Sequence, residues 1–150
     1  MSQPAPPEGG EPEFLRAFTI QAGDFAGAGN VSIAVKNLLK ELGFPPEVLR
    51  RAAIAAFEAE MNVVMYGGGG QMEVYLSPRA VRLVISDQGP GIPDLGLAMQ
   101  EGWSTATPEM REMGFGAGMG LPNIKRNSDD FHIDTAPGRG TRLQVDIFPR

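Results

Sequence analysis

The stretch "GFGAGMGLPN", residues 114–123, sets glycine at four alternate positions immediately before a helix-forming run. Each ordered glycine loses more backbone entropy than alanine, about 0.5–1 kcal/mol. A strand built this way would have one face with no side chains to pack. The pattern instead suits a backbone that something must approach closely. Free N–H groups followed by a helix N-terminus make an anion site suited to phosphate. Phe115, Met119 and Leu121 hem the run, which a plain linker would not require.

The rest of the chain supplies a frame for that segment. At 150 residues it suits one domain with a real core. Residues 1–13 are rich in Pro, Gly and Glu, and read as a disordered tail ahead of a domain over 14–150. "FLRAFTI" (14–20) reads as a strand. Residues 23–43 carry Val31, Val35, Leu38, Leu39 and Leu42 at helical spacing, and a second helix spans about Glu47 to Tyr66. "GGGG" (67–70) reads as a turn. "MEVYLS" and "VRLVIS" flank "PRA" as a hairpin, 119–127 forms a short helix, and "FHIDT" and "TRLQVDIF" are final strands around "APGRG". Early helices and later antiparallel strands predict an α+β two-layer sandwich, with helices on one face of a mixed, mostly antiparallel sheet.

Composition excludes several classes of function. The formal charge of −5 argues against a broad nucleic-acid footprint. With no cysteine, neither disulfides nor thiolate metal sites can form. No apolar stretch is long enough to span a bilayer and no secretory signal is visible, so the expectation is a cytoplasmic protein acting on neither membrane nor nucleic acid. The P-loop pattern is not met, since no lysine follows the glycines in frame. The dinucleotide pattern G-x-G-x-x-G is not met either. His132, the single histidine, falls within a strand and reads as half-buried.

Polar chemistry gathers on the second helix and on the loop at 87–94. At about 100° per residue, Ile54, Phe57, Met61, Val64 and Met65 share one arc, expected to face the sheet. Glu58 and Asn62, four apart, stack in a row beside it, while Glu60 is expected to face solvent. A carboxylate there can accept a proton, and an amide oxygen can ligate a hard cation such as Mg²⁺. After "VRLVIS", Asp87 is placed to accept a hydrogen bond from an exocyclic amine, with Gly89 and Gly91 shaping the turn.

In order, "FEAEMN", "DQGPGIPD", "GFGAGMGL" and "GRGT" resemble the N box and three glycine boxes of the GHKL ATPase superfamily. The compact size and "LAMQEGWST…GFGAGMGLPNIKR" resemble its anti-sigma-factor kinase group, in particular the RsbT-type switch kinases. The resemblance implies an ATP-dependent protein serine/threonine kinase acting on a STAS-domain, anti-anti-sigma-type partner. Its alternative is an ATP-responsive, non-catalytic switch that controls a phosphatase or sigma factor. It also implies roles: Glu58 as general base, Asn62 as Mg²⁺ ligand, and Asp87 as adenine reader with Gly89 and Gly91. Gly114, Gly116, Gly118 and Gly120 would admit the ATP phosphates, Thr141 would sit near the adenine, and residues 95–113 would form a lid. Trp103, Met110, Met113 and Phe115 would offer apolar surface to the partner. A homodimer is left open. Tyr66 departs from the pattern, standing where several anti-sigma kinases carry His.

Overall fold

The computed structural model describes residues 11–24, 26–66, 68–89, 99–100, 120–135 and 138–149. The strands are β1 (Glu13–Ile20), β2 (Gly70–Ser77), β3 (Ala80–Asp87), β4 (Asp130–Thr135) and β5 (Thr141–Ile147). The helices are α1 (Asn30–Glu41), α2 (Pro46–Tyr66) and α3 (Gly120–Arg126). The strands form one sheet in the order β1-β2-β3-β5-β4, and each of these pairings is antiparallel. Alternation puts Met72, Val74, Leu83, Ile85, Leu143 and Val145 on the inner face, where they build the core with α1, α2 and α3. The expected two-layer α+β sandwich is therefore the observed one.

Two expectations about the helices need correction. The periodicity predicts α1 from residue 23, but the helix begins at Asn30. Gly23 and Gly29 adopt left-handed backbone, with φ of 70° and 98°, so the helix cannot extend back through them. On α2, Met61 and Val64 are buried, but Ile54 and Met65 are half-buried and Phe57 is 42% exposed. The deepest face is Val48, Ala52, Ala55, Ala56, Ala59 and Val63. Small side chains let this helix pack closely between the sheet and its neighbours, so volume comes from Leu39, Met72 and Leu83 opposite.

Glu60 does not face solvent. It is 2% exposed and points at the start of α1. Its Oε2 accepts the backbone N–H groups of Gly29 (3.1 Å) and Val31 (3.2 Å), and its Oε1 that of Ser32 (2.9 Å). No side chain of α1's own N-cap residue fills this role, because that residue is glycine. A buried carboxylate is tolerable here because three N–H donors and the positive end of a helix surround it. Glu60 and Glu58, about 200° apart around α2, thus lie on opposite flanks of the helix.

Ion pairs tie the remaining pieces. Arg51, 3% exposed, donates to Glu47, to Asp129 (2.7 Å) and to the Phe148 carbonyl (2.7 Å). On the outer face of the sheet Arg82 pairs with the buried Asp146 (2.7 Å), and Glu11 reaches the same guanidinium (3.3 Å).

Candidate active site

Two clusters of the expected residues form at one end of the sandwich. The first is held between α2 and α3. Glu58 and Asn62 are both half-buried on the flank of α2 that meets the start of α3. Gly120, the first residue of α3, stands directly over them. A Cβ there would lie 3.4 Å from Asn62 Oδ1 and 3.6 Å from Glu58 Oε2. With glycine there, no side chain of residue 120 comes between these two oxygens and the start of α3. Asn123 Nδ2 donates weakly to Glu58 Oε1 at 3.4 Å. Burial raises the Glu58 pKa above the ordinary carboxylate value, and the Asn123 bond offsets only part of the rise.

The second cluster sits where β3 ends beside β5. The Asp87 Oδ1 accepts the Gly89 N–H at 2.9 Å, which closes the turn after the strand. Burial raises the Asp87 pKa, opposed by hydrogen bonds from the backbone of Gly89 and Thr141. Thr141 is the direct neighbour of Asp87 across the ladder, and its Oγ1 lies 2.9 Å from Thr135 Oγ1. Gly140 (φ 77°) is required at its position, since a Cβ there would overlap the Asp87 carbonyl oxygen.

The glycine turn after α2 joins the two clusters. Gln88 N–H donates to the Gly69 carbonyl (3.1 Å), and a Cβ on Gly68 would lie 3.7 Å from Gly89 Cα. The end of the helix bearing Asn62 is thereby fixed against the loop bearing Asp87.

Of the candidate residues, Glu58, Asn62, Asp87, Gly89, Gly120 and Thr141 are described, and all six fall in these clusters. Gly91, Gly114, Gly116 and Gly118 lie outside the described residues, as do the expected lid at 95–98 and 101–113, Trp103, Met110, Met113 and Phe115. His132 is a half-buried strand residue paired with Asp130 at 3.1 Å, away from both clusters. Asn123 and Gly140 were not singled out from the sequence. Asn123 follows Gly120 by three on α3, so helical spacing from the last glycine points to it. Gly140 lies inside "GRGT", but its contact with Asp87 is invisible until strands pair.

Among the described residues no three acidic or histidine side chains gather as a metal cage. One amide oxygen beside one carboxylate is a hard, sparse donor set. It fits Mg²⁺, which takes one or two protein ligands and fills the rest with water and phosphate oxygens. Among the described residues no helix is long and apolar enough to cross a membrane.

The chain is similar to several known proteins. The serine/threonine-protein kinase RsbT of Bacillus subtilis is 34% identical over 114 residues, covering 73% of this chain and 80% of that protein. An anti-sigma F factor of Bacillus licheniformis is 31% identical over 119 residues, covering 75% of this chain and 78% of that protein. A solved structure of the mycobacterial sensor histidine kinase MprB superposes with a TM-score of 0.49 at 23% identity, over 68% of this chain and 72% of that one. The family model described as the histidine kinase-like ATPase domain matches residues 25–147, which takes in every described candidate residue of both clusters. The chain belongs to that family of ATP-using domains.

Proposed function

We propose that the protein is an ATP-dependent protein serine/threonine kinase of the partner-switching type, phosphorylating a STAS-domain, anti-anti-sigma-type protein in the cytoplasm. The observation that carries this reading is the bare Gly120 over Glu58 and Asn62. It sets a proton acceptor and a hard-cation ligand side by side at the start of a helix, where residue 120 puts no side chain between them and the helix. A non-catalytic switch has no need of a carboxylate there. The relatives named as a serine/threonine kinase and as anti-sigma factors support the same activity and the same class of partner.

In this reading Asp87 accepts the adenine amino group, with Gly89 and Gly91 shaping the pocket and Thr141 beside it. The phosphates lie against Gly114, Gly116, Gly118 and Gly120. Asn62 would hold Mg²⁺, which neutralises charge developing on the phosphates. A Ser or Thr hydroxyl of the docked partner attacks the γ-phosphorus, its proton passes to Glu58, and the bond to the β-phosphate oxygen breaks to release ADP. The raised pKa of Glu58 makes it a stronger base than an exposed carboxylate, closer to what general-base catalysis at neutral pH requires.

The test pairs nucleotide binding with phosphotransfer. Glu58→Gln is expected to keep ATP affinity and lower phosphotransfer by about 10²–10⁴-fold. Asn62→Ala is expected to abolish the Mg²⁺ dependence of ATP binding. Unchanged turnover in Glu58→Gln would refute the catalytic role and favour the ATP-responsive switch controlling a phosphatase or sigma factor.

A further inference from the structure

The two oxygens of the Glu58 carboxylate have different surroundings. Oε1 takes the bond from Asn123 Nδ2 at 3.4 Å, whereas Oε2 lies 3.6 Å from the point where a Cβ on Gly120 would stand. The same point is 3.4 Å from Asn62 Oδ1. Oε2 and the Asn62 amide oxygen therefore share one neighbourhood, while Oε1 is tied to α3 one turn further along. The terminal torsion of a glutamate side chain is broad, so nothing within Glu58 itself fixes the plane of its carboxylate.

Asn123 is a firm support for that plane. Its backbone is held in α3, where Leu121 (7% exposed) and Ile124 (0%) are anchored in the core. Its carbonyl accepts the backbone N–H of Asn127 at 3.2 Å and the Asn127 Nδ2 at 2.8 Å, which closes the last turn of the helix. The opposite orientation of the Asn123 amide would set its oxygen against the carboxylate, so the contact selects the donor side. At 3.4 Å between half-buried side chains the bond adds little to the docking of α3, which the two apolar anchors already secure. Its effect is on direction.

We propose that Asn123 is a positioning residue for phosphotransfer, holding Oε1 of Glu58 so that Oε2 faces the reacting hydroxyl beside Asn62. The inference rests on the kinase reading given above. In the step it serves, the acceptor oxygen bonds to the γ-phosphorus and its proton passes to Oε2. The bond between the γ-phosphorus and the bridging oxygen breaks, and ADP leaves. Asn123 itself touches neither ATP nor the acceptor. A misplacement of about 1 Å costs on the order of 10²-fold in rate, so loss of the support falls on kcat and spares ATP affinity.

The experiment has two arms, both on the full chain. The first needs no turnover. The side-chain amide protons of Asn123 are followed by NMR in the nucleotide-free protein, in wild type and in Glu58→Gln. They should shift when the carboxylate is lost, while those of Asn127 stay in place. The second arm measures phosphate release from Mg-ATP with water as the acceptor. Asn123→Leu keeps the volume and removes the donor, and should lower kcat about 10- to 100-fold with KM for ATP within about twofold. Asn123→Gln keeps a donor and should recover most of the rate. Adding Asn123→Leu to Glu58→Gln should cost nothing further, because no base remains to be aimed. An unmoved Asn123 amide, or an unchanged kcat in Asn123→Leu beside a slow Glu58→Gln, would overturn the positioning role and leave the kinase reading standing. A fall in kcat with a matching rise in KM, not rescued by Asn123→Gln, would also overturn it. Glu58→Gln turning over as fast as wild type would refute the base and the positioning role together.

Discussion

Gly120→Ala separates the stability of the fold from the working of the site. Gly120 is not among the left-handed glycines, so alanine is compatible with its backbone. The new methyl would meet Asn62 Oδ1 at 3.4 Å, Asn62 Nδ2 at 3.5 Å and Glu58 Oε2 at 3.6 Å, which is ordinary van der Waals contact. Nothing has to shift, and alanine removes glycine's excess unfolded-state entropy. The fold should gain about 0.5–1 kcal/mol. At about 2–4 °C per kcal/mol for a chain of this size, the midpoint should rise by about 1–4 °C. Binding should move the other way. A ligand oxygen needs roughly 3 Å to a hydrogen-bond partner, and Mg²⁺ sits about 2.1 Å from a ligating oxygen. The methyl fills the space on that side of both groups. Loss of one charge-assisted contact, about 1.5–3 kcal/mol, lowers Mg-ATP affinity roughly 10- to 150-fold. Calorimetry with Mg-ATP and, separately, with adenosine gives the assay. Adenosine affinity should hold, since Asp87 belongs to the other cluster. Unchanged Mg-ATP affinity in a folded variant would refute the placement of phosphate and metal over Glu58 and Asn62. An equal fall for adenosine would show a general collapse of the pocket.

Three further outcomes follow from described geometry. Because burial raises the Glu58 pKa, the native state holds that proton more tightly than the unfolded chain, and stability falls as pH rises from the ordinary carboxylate value through the raised one. Glu58→Gln should therefore raise the apo-protein's thermal midpoint near neutral pH, with the difference closing at acid pH; a difference independent of pH would contradict this. Glu60→Ala strips three buried N–H groups of their acceptor, and urea unfolding should report a loss of about 3 kcal/mol or more. Gly138→Ala and Gly140→Ala both place alanine in left-handed backbone, a strain of about 1–2 kcal/mol, but only the second overlaps the Asp87 carbonyl. ATP affinity should fall in Gly140→Ala and stay level in Gly138→Ala, and equal affinities would detach Asp87 from nucleotide binding.

Strands β2 to β5 were legible because short apolar, β-branched runs are bounded by glycine or proline. Glu58 and Asn62 were legible because a spacing of four fixes their common row, whatever surrounds the helix. The rest depended on partners distant in sequence. α2 was misread because large apolar residues were assumed to mark the buried face, while close packing selected its alanines. Glu60 was misread because a carboxylate defaults to solvent, and its three donors lie about thirty residues earlier in the chain. Asn123 and Gly140 emerge only when α3 and the strands are assembled.

The contact between Glu60 and the start of α1 bears on the order in which the chain folds. A glycine N-cap gives the first turn of α1 no local nucleus, and short helices are marginal in water even with good caps. The turn at Val31 and Ser32 gains its acceptor only when α2 already exists to present Glu60. α1 and α2 must then consolidate as one cooperative unit, with the later helix in sequence templating the earlier. During synthesis from the N-terminus, α1 would leave the ribosome without its counter-charge and wait for residue 60 to follow.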